Sequence, residues 1–188
     1  MTLTSTLIGI CWFIVIVVWL ITAVGVKKSK ENPKGKAGRW ISFLLVVCIL
    51  ICIRVKEVRM LNELHLFFPN YFVQMLSVVF CISGISFAIW ARLHMGKNWG
   101  MPMALKEHTE LITSGPYRLV RHPIYGGLCL ALIGSTLIGS FLMAIWCFLL
   151  IVFFLYSALK EEKTLSTQFP DEYPGYRKRT KMLIPFVL

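Results

Sequence analysis

From Leu7 to Val26 the chain runs for 20 residues without a single charged side chain. A helix of that length rises about 30 Å, the thickness of a bilayer's hydrocarbon core. In lipid every backbone N–H and C=O must be satisfied within the protein, so such a run has few folds open to it besides a membrane helix. No basic residue precedes it and no small-residue cleavage pattern follows, so it reads as a span, not as a removable leader. Four more apolar stretches follow: Trp40–Ile53, Phe72–Trp90, Ile124–Gly139 and Phe141–Ser157. The expectation is an all-α integral membrane protein with about five transmembrane helices. With 57% hydrophobic residues and a mean hydropathy of +0.71, it is more apolar than a soluble domain, where roughly 45–50% is usual. The 188 residues suit one domain, with three helices in 1–90 and the candidate chemistry in 91–188.

A formal charge of +11 could suggest nucleic acid, but the placement of the cations argues otherwise. Seventeen of the 20 Lys and Arg fall in Lys27–Arg39, Arg92–Arg121 and Lys160–Lys181. That is the pattern of cytoplasmic loops beside a membrane and not of a continuous duplex-binding face. With the amino terminus outside, all three zones and the carboxyl-terminal half lie in the cytoplasm. Arg54, Lys56 and Arg59 then fall on the outer side. The second apolar stretch, at 14 residues, either ends within the membrane or continues with its basic side chains snorkelling to the interface. The linker "KKSKENPKGKAGR" reads as a topology determinant, with anionic lipid as the functional alternative. All six cysteines sit in apolar segments without ligand spacing; neither a disulfide framework nor a metal is expected.

Between the third and fourth stretches the chain turns polar: "SGPYRLVRHPIYGG", Ser114–Gly127. Pro123 lacks an amide hydrogen and suits the first turn of a helix. Arg121 and His122 then stand at that helix's amino terminus, where unpaired N–H groups and partial positive charge suit an anionic ligand group. The same fragment also fits a plain capped helix with a snorkelling arginine. Gly126 and Gly127 permit close approach of a ligand or a neighbouring helix. Gly115-Pro116 marks a turn. Where the fifth stretch leaves the apolar region, "ALKEEKTLSTQF" places Leu155, Leu159, Glu162, Ser166 and Phe169 on one stripe at helical spacing. Glu162 thus lies among apolar neighbours and Glu161 about 100° away. A carboxylate near the interface is costly unless partnered, which marks a functional site. The tail "DEYPGYRKRTKMLIPFVL" reads as a lipid-facing anchor, as a lid returning basic side chains to the site, or as both. His65 and His94 read as isolated loop or interface histidines. No nucleophile with a base partner, GxGxxG or P-loop occurs.

The order "GKNWG", "HTELITSGPYRLVRHPIYGG", "EEKTLSTQFPDEYPGYRKR" and "IPF" resembles the isoprenylcysteine carboxyl methyltransferase family of integral membrane enzymes, over about Gly96–Leu188. The resemblance implies S-adenosylmethionine as methyl donor, bound on the cytoplasmic side. The implied cofactor-binding residues are His108, Leu111, Gly115, Pro116, Tyr117, His122, Pro123, Tyr125, Glu161 and Glu162. Arg121, Glu162 and Arg179 are implied nearest the reaction. The family's histidine two residues before the Leu of "LIT" is here Thr109, with His108 one step earlier.

The implied donor is a sulfonium zwitterion. Its ammonium suits Glu161 or Glu162; its carboxylate or adenine suits the helix terminus with its histidine. A carboxylate acceptor is already ionised at neutral pH (reference pKa roughly 3.3–3.7 for an α-carboxyl), so no general base is required. An arginine can hold it in a fork, and the transfer gains from positioning two reactants. The expected partners are a lipophilic acceptor, prenylcysteine or another lipid, and the surrounding bilayer, without nucleic acid or metal. The acceptor's lipid part would enter between helices. A phospholipid or amine N-methyltransferase is the alternative; it would need Glu162 or His122 as a base. An NADPH-dependent membrane sterol reductase and a non-catalytic membrane adaptor are more remote.

Overall fold

The computed structural model describes residues 2–23, 64, 70–96 and 110–185. The second apolar stretch, the basic linker, the Arg54–Arg59 cluster, His65 and His108 lie outside them. Among the described residues the fold is all-helical: α1 Leu3–Ala23, α2 Tyr71–Met95, α3 Pro123–Leu137, α4 Phe141–Gln168 and α5 Tyr173–Arg179, with a 3-10 turn at Gly115–Arg118. Three helices, α1, α2 and α4, are long and apolar enough to cross a membrane. Helix α3, at 15 residues, rises only about 22 Å.

Local chemistry sets several of these boundaries. Asn70 begins α2 by accepting from the Val73 amide at 2.9 Å, and Gly96 ends it at φ 53. Such caps answer the backbone groups that a helix end leaves unpaired. Pro123 opens α3 as expected. The tight turn expected at Gly139–Ser140 is present: the Gly139 amide donates to Thr136 O at 3.1 Å, and Ser140 caps α4 by accepting from Met143 N at 3.2 Å.

Helix α4 does not stop where its apolar stretch does, near Ser157, but continues to Gln168, 28 residues in all, as the helical spacing across residues 155–169 implies. Hydropathy marks where a helix leaves lipid, not where it ends, and "ALKEEK" is rich in strong helix formers. Both glutamates therefore ride on a rigid extension of a membrane helix.

Helices α1 and α2 run parallel. Thr4 donates to Gln74 at 2.9 Å near one end, and Arg92 Nη2 donates to Thr22 O at 2.5 Å near the other. Arg92, 1% exposed, also reaches Gly96 O at 3.1 Å and so binds carbonyls at the carboxyl ends of both helices, where a cation is favoured. Helix α3 packs antiparallel to α2 with the two backbones almost in contact. A Cβ on Gly84 would stand 2.4 Å from Gly127 O, and one on Gly134 would stand 2.8 Å from Cys81 N. In lipid there is little hydrophobic drive between helices, so close packing and internal hydrogen bonds hold them together. Here Ser77 donates to Gly134 O at 2.8 Å, and Trp12 of α1 donates to Ser135 at 3.0 Å. Gly127, one of the two glycines after the Arg-His-Pro corner, thus serves the helix contact. Large apolar side chains face outward, among them Phe13, Leu20, Phe72 and Phe148, each at least 65% exposed, as lipid-facing residues are. The four described cysteines, Cys11, Cys81, Cys129 and Cys147, are unpaired.

These directions bring the carboxyl ends of α1, α2 and α4 and the amino end of α3 to one end of the bundle, opposite the start of α1. A close-contact test follows. Gly84→Ala should destabilise the protein by about 1–3 kcal/mol through overpacking. Gly9→Ala, where an added Cβ meets nothing within 4 Å, should leave the thermal unfolding midpoint in detergent unchanged.

Candidate active site

The site is built where the chain enters α3. Before Pro123 it is extended and pairs with the tail: Val120 bridges Lys181 in parallel, Arg121 N donates to Lys181 O at 2.8 Å, and His122 N donates to Met182 O at 2.9 Å. The tail then crosses the first turn of α3, where a Cβ on Gly126 would lie 2.7 Å from Leu183 O. Gly126 therefore accommodates the chain's own tail. Tyr176 of α5 donates to Tyr117 O at 2.6 Å, and Tyr117 reaches Ala91 O of α2 at 3.4 Å. The Gly-Pro-Tyr turn is thereby fastened on both sides.

That turn needs its glycine. Gly115 has φ +58, and a Cβ there would stand 2.7 Å from the His94 ring. His94 Nε2 lies 2.9 Å from Ser114 Oγ, and its ring stacks on Tyr117 with centroids 6.4 Å apart. His94 is thus part of the turn's support and not isolated. Its partners lie 20 or more residues ahead, beyond the reach of local pattern. Pro116, Tyr117 and Pro123 are buried in packing; Leu111 is half-buried.

The Arg-His-Pro corner and the Glu-Glu pair, 41 residues apart, meet in one buried cluster. Arg121 donates from Nε to Glu162 Oε1 at 2.7 Å, with Nη2 at 2.6 Å from the same oxygen. Its Nη1 donates to Thr180 O and, at 3.3 Å, to Arg177 O at the end of α5. Side-chain exposure is 9% for Arg121 and 7% for Glu162. His122 stands between the carboxylates, Nδ1 3.5 Å from Glu161 Oε2 and Nε2 3.7 Å from Glu162 Oε1. Tyr125 donates to Glu161 Oε1 at 2.7 Å. The His122, Tyr125 and Phe154 rings form a stack with spacings of 5.7 and 5.3 Å, leading from the charged cluster toward the apolar part of α4. The two glutamates, though about 100° apart on the helix, reach the same imidazole.

Burial disfavours a charged His122, but its contacts with Glu161 and Glu162 outweigh that and raise its pKa above the ordinary value. Within this cluster two buried side-chain atoms, His122 Nε2 and Tyr173 Oη, make no hydrogen bond among the described residues. Such atoms are rare in a finished interior and call for a missing partner. The tail residue beside the cluster is Arg177, whose Nε is 3.7 Å from Glu162 Oε2. Arg179, the tail arginine that the resemblance pointed to, is exposed two residues further on.

Residues 75–167 match the model of the isoprenylcysteine carboxyl methyltransferase (ICMT) family. Over these residues the chain is similar to that family. Protein-S-isoprenylcysteine O-methyltransferase of Schizosaccharomyces pombe is 29% identical over 131 residues, 64% of this chain and 56% of that protein. Protein-S-isoprenylcysteine O-methyltransferase B of Arabidopsis thaliana is 31% identical over 84 residues, 44% of this chain and 43% of that protein. The chain therefore spans about half the length of these relatives. The ICMT match contains the Gly-Pro-Tyr turn, the Arg-His-Pro corner and both glutamates, and it ends before α5.

The cluster makes a pH prediction. His122 has a raised folded-state pKa, so its contribution to stability is complete below the unfolded value of about 6.5 and is lost as pH rises through the folded value. The unfolding midpoint should fall with rising pH across that window, and His122→Gln should flatten the decline. Thermal unfolding across a pH series checks both.

Proposed function

We propose that the chain is an S-adenosylmethionine-dependent membrane methyltransferase that esterifies the carboxylate of a prenylated cysteine or similar lipophilic acid. The observation that carries this is the buried meeting of Arg121 and His122 with Glu161 and Glu162, within a segment of ICMT family. The donor supplies an electrophilic methyl group on a cationic sulfur. The residues present suit such a group: two carboxylates for its cationic parts, and a buried imidazole nitrogen that makes no hydrogen bond among the described residues.

On this reading the chain's own residues bind and orient. Glu161 and Glu162 offer negative charge in a site largely closed to water, where it counts for more than in solution. His122 holds the two carboxylates apart and keeps a ring nitrogen for the ligand. No residue need remove a proton, because the acceptor arrives ionised. An amine acceptor would need a base, and both carboxylates are engaged, Glu162 by Arg121 and Glu161 by Tyr125. The catalytic half is assigned to the cytoplasm with the amino terminus outside, on the strength of the basic zones and of the site's position opposite the start of α1.

Two measurements test the proposal. Purified protein should transfer labelled methyl to a prenylated cysteine and leave the corresponding carboxamide unlabelled; label in an amine lipid and not in the acid would refute it. Glu162→Gln should weaken donor binding by calorimetry about 10–100-fold, the worth of a charged hydrogen bond.

A further inference from the structure

We infer that Arg177, with the Tyr173 hydroxyl beside it, holds the carboxylate of the methyl acceptor. The inference rests on the methyltransferase reading and adds to it the side of the cluster that the acceptor uses.

Arg121 cannot readily take that part. Its Nε and Nη2 are on Glu162, and its Nη1 is on the carbonyls of Thr180 and Arg177. Recruiting its fork for an external anion would release Glu162 and loosen the end of α5. Arg121 is a clamp that shapes the site.

Arg177 stands differently. Its Nε is 3.7 Å from Glu162 Oε2, an ion-pair distance beyond hydrogen bonding, and its side chain is 61% exposed. It makes no side-chain hydrogen bond among the described residues. It therefore brings a cation to the rim of a buried cluster with its fork open. One helical turn earlier, on the same face of α5, Tyr173 is 1% exposed and its hydroxyl makes no hydrogen bond among the described residues. Burial first, then the charge of Glu162, push its pKa up to about 12, so it stays a neutral donor at physiological pH. Arginine and a phenol hydroxyl are both donors, and a carboxylate accepts from both.

Charge balance points the same way. Two arginines, Arg121 and Arg177, offset the two carboxylates of Glu161 and Glu162. A methyl donor with net positive charge leaves a shortfall of one anion. An acid acceptor fills it, whereas an ammonium would worsen it.

The test uses the full chain in detergent or nanodiscs, with a prenylated N-acetylcysteine and its carboxamide as probes. Binding is read with the demethylated donor present, and initial rates with labelled donor. Arg177→Gln should weaken the acid about 10–100-fold while leaving the carboxamide and the donor's affinity within about twofold, and Arg177→Lys should restore part of the loss. Tyr173→Phe, which keeps the ring, should weaken the acid about 3–10-fold. Lys178→Gln, an exposed neighbour, should change none of these. Equal loss for acid and carboxamide, or no loss for the acid, overturns the assignment to Arg177. If the unaltered chain labels no carboxylate at all, the methyltransferase reading itself falls, and this inference with it.

Discussion

Arg121 and Glu162 are the contact on which the rest of the site depends. Each is nearly buried, and a buried ion taken from its partner is strongly unfavourable, at about 3–5 kcal/mol. The pair does more than offset two charges. Glu162 belongs to a long apolar helix, Arg121 to the corner before another, and the remaining guanidinium nitrogen reaches the end of α5. One side chain thus joins three pieces of chain, beside the small apolar cluster in which Leu155 and Ala158 meet Tyr125, Met182 and Leu183. In a membrane, where helix association gains little from hydrophobicity, directed contacts of this kind decide which elements stay together.

The corner has to be held still for that pair to form, and the interface between α2 and α3 does so. With Gly84 and Gly127 backbone to backbone, α3 has little freedom to slide or rotate against α2. Its amino end is placed beside Ala91, where Tyr117 anchors the preceding turn. Small residues in the apolar layer and charged residues at its border are therefore one construction. The first sets the position of a helix end, and the second builds on it.

Much of this was legible in the sequence. The apolar runs announced α1, α2, α3 and α4. Pro123 marks the start of α3, and a carboxylate at helical spacing among leucines needs a partner, which Glu162 has in Arg121. The tail was legible only in outline. Val120 and Lys181 pair across 61 positions over a single bridge, too short to impose any period. A seven-residue helix likewise gives no pattern from which to choose among Arg177, Lys178 and Arg179. Which arginine faces Glu162 depends on the rotation of α5, and burial of Tyr173 and Tyr176 on one side of that helix fixes it. The continuation of α4 past Ser157 shows in the helical spacing of Leu155, Leu159, Glu162 and Ser166 and not in hydropathy, which marks only the part within the apolar layer.

Helix α4 also makes the charged cluster answerable to the bilayer. Its 28 residues, about 42 Å of unbroken helix, run from the Ser140 turn through the apolar layer to the carboxylates. A thinner or thicker membrane is accommodated by helix tilt, and a stiff rod that tilts at one end swings its other end sideways. A swing of a few ångströms would part Glu162 from Arg121, so lipid chain length becomes a mechanical input to the polar chemistry at the rod's far tip.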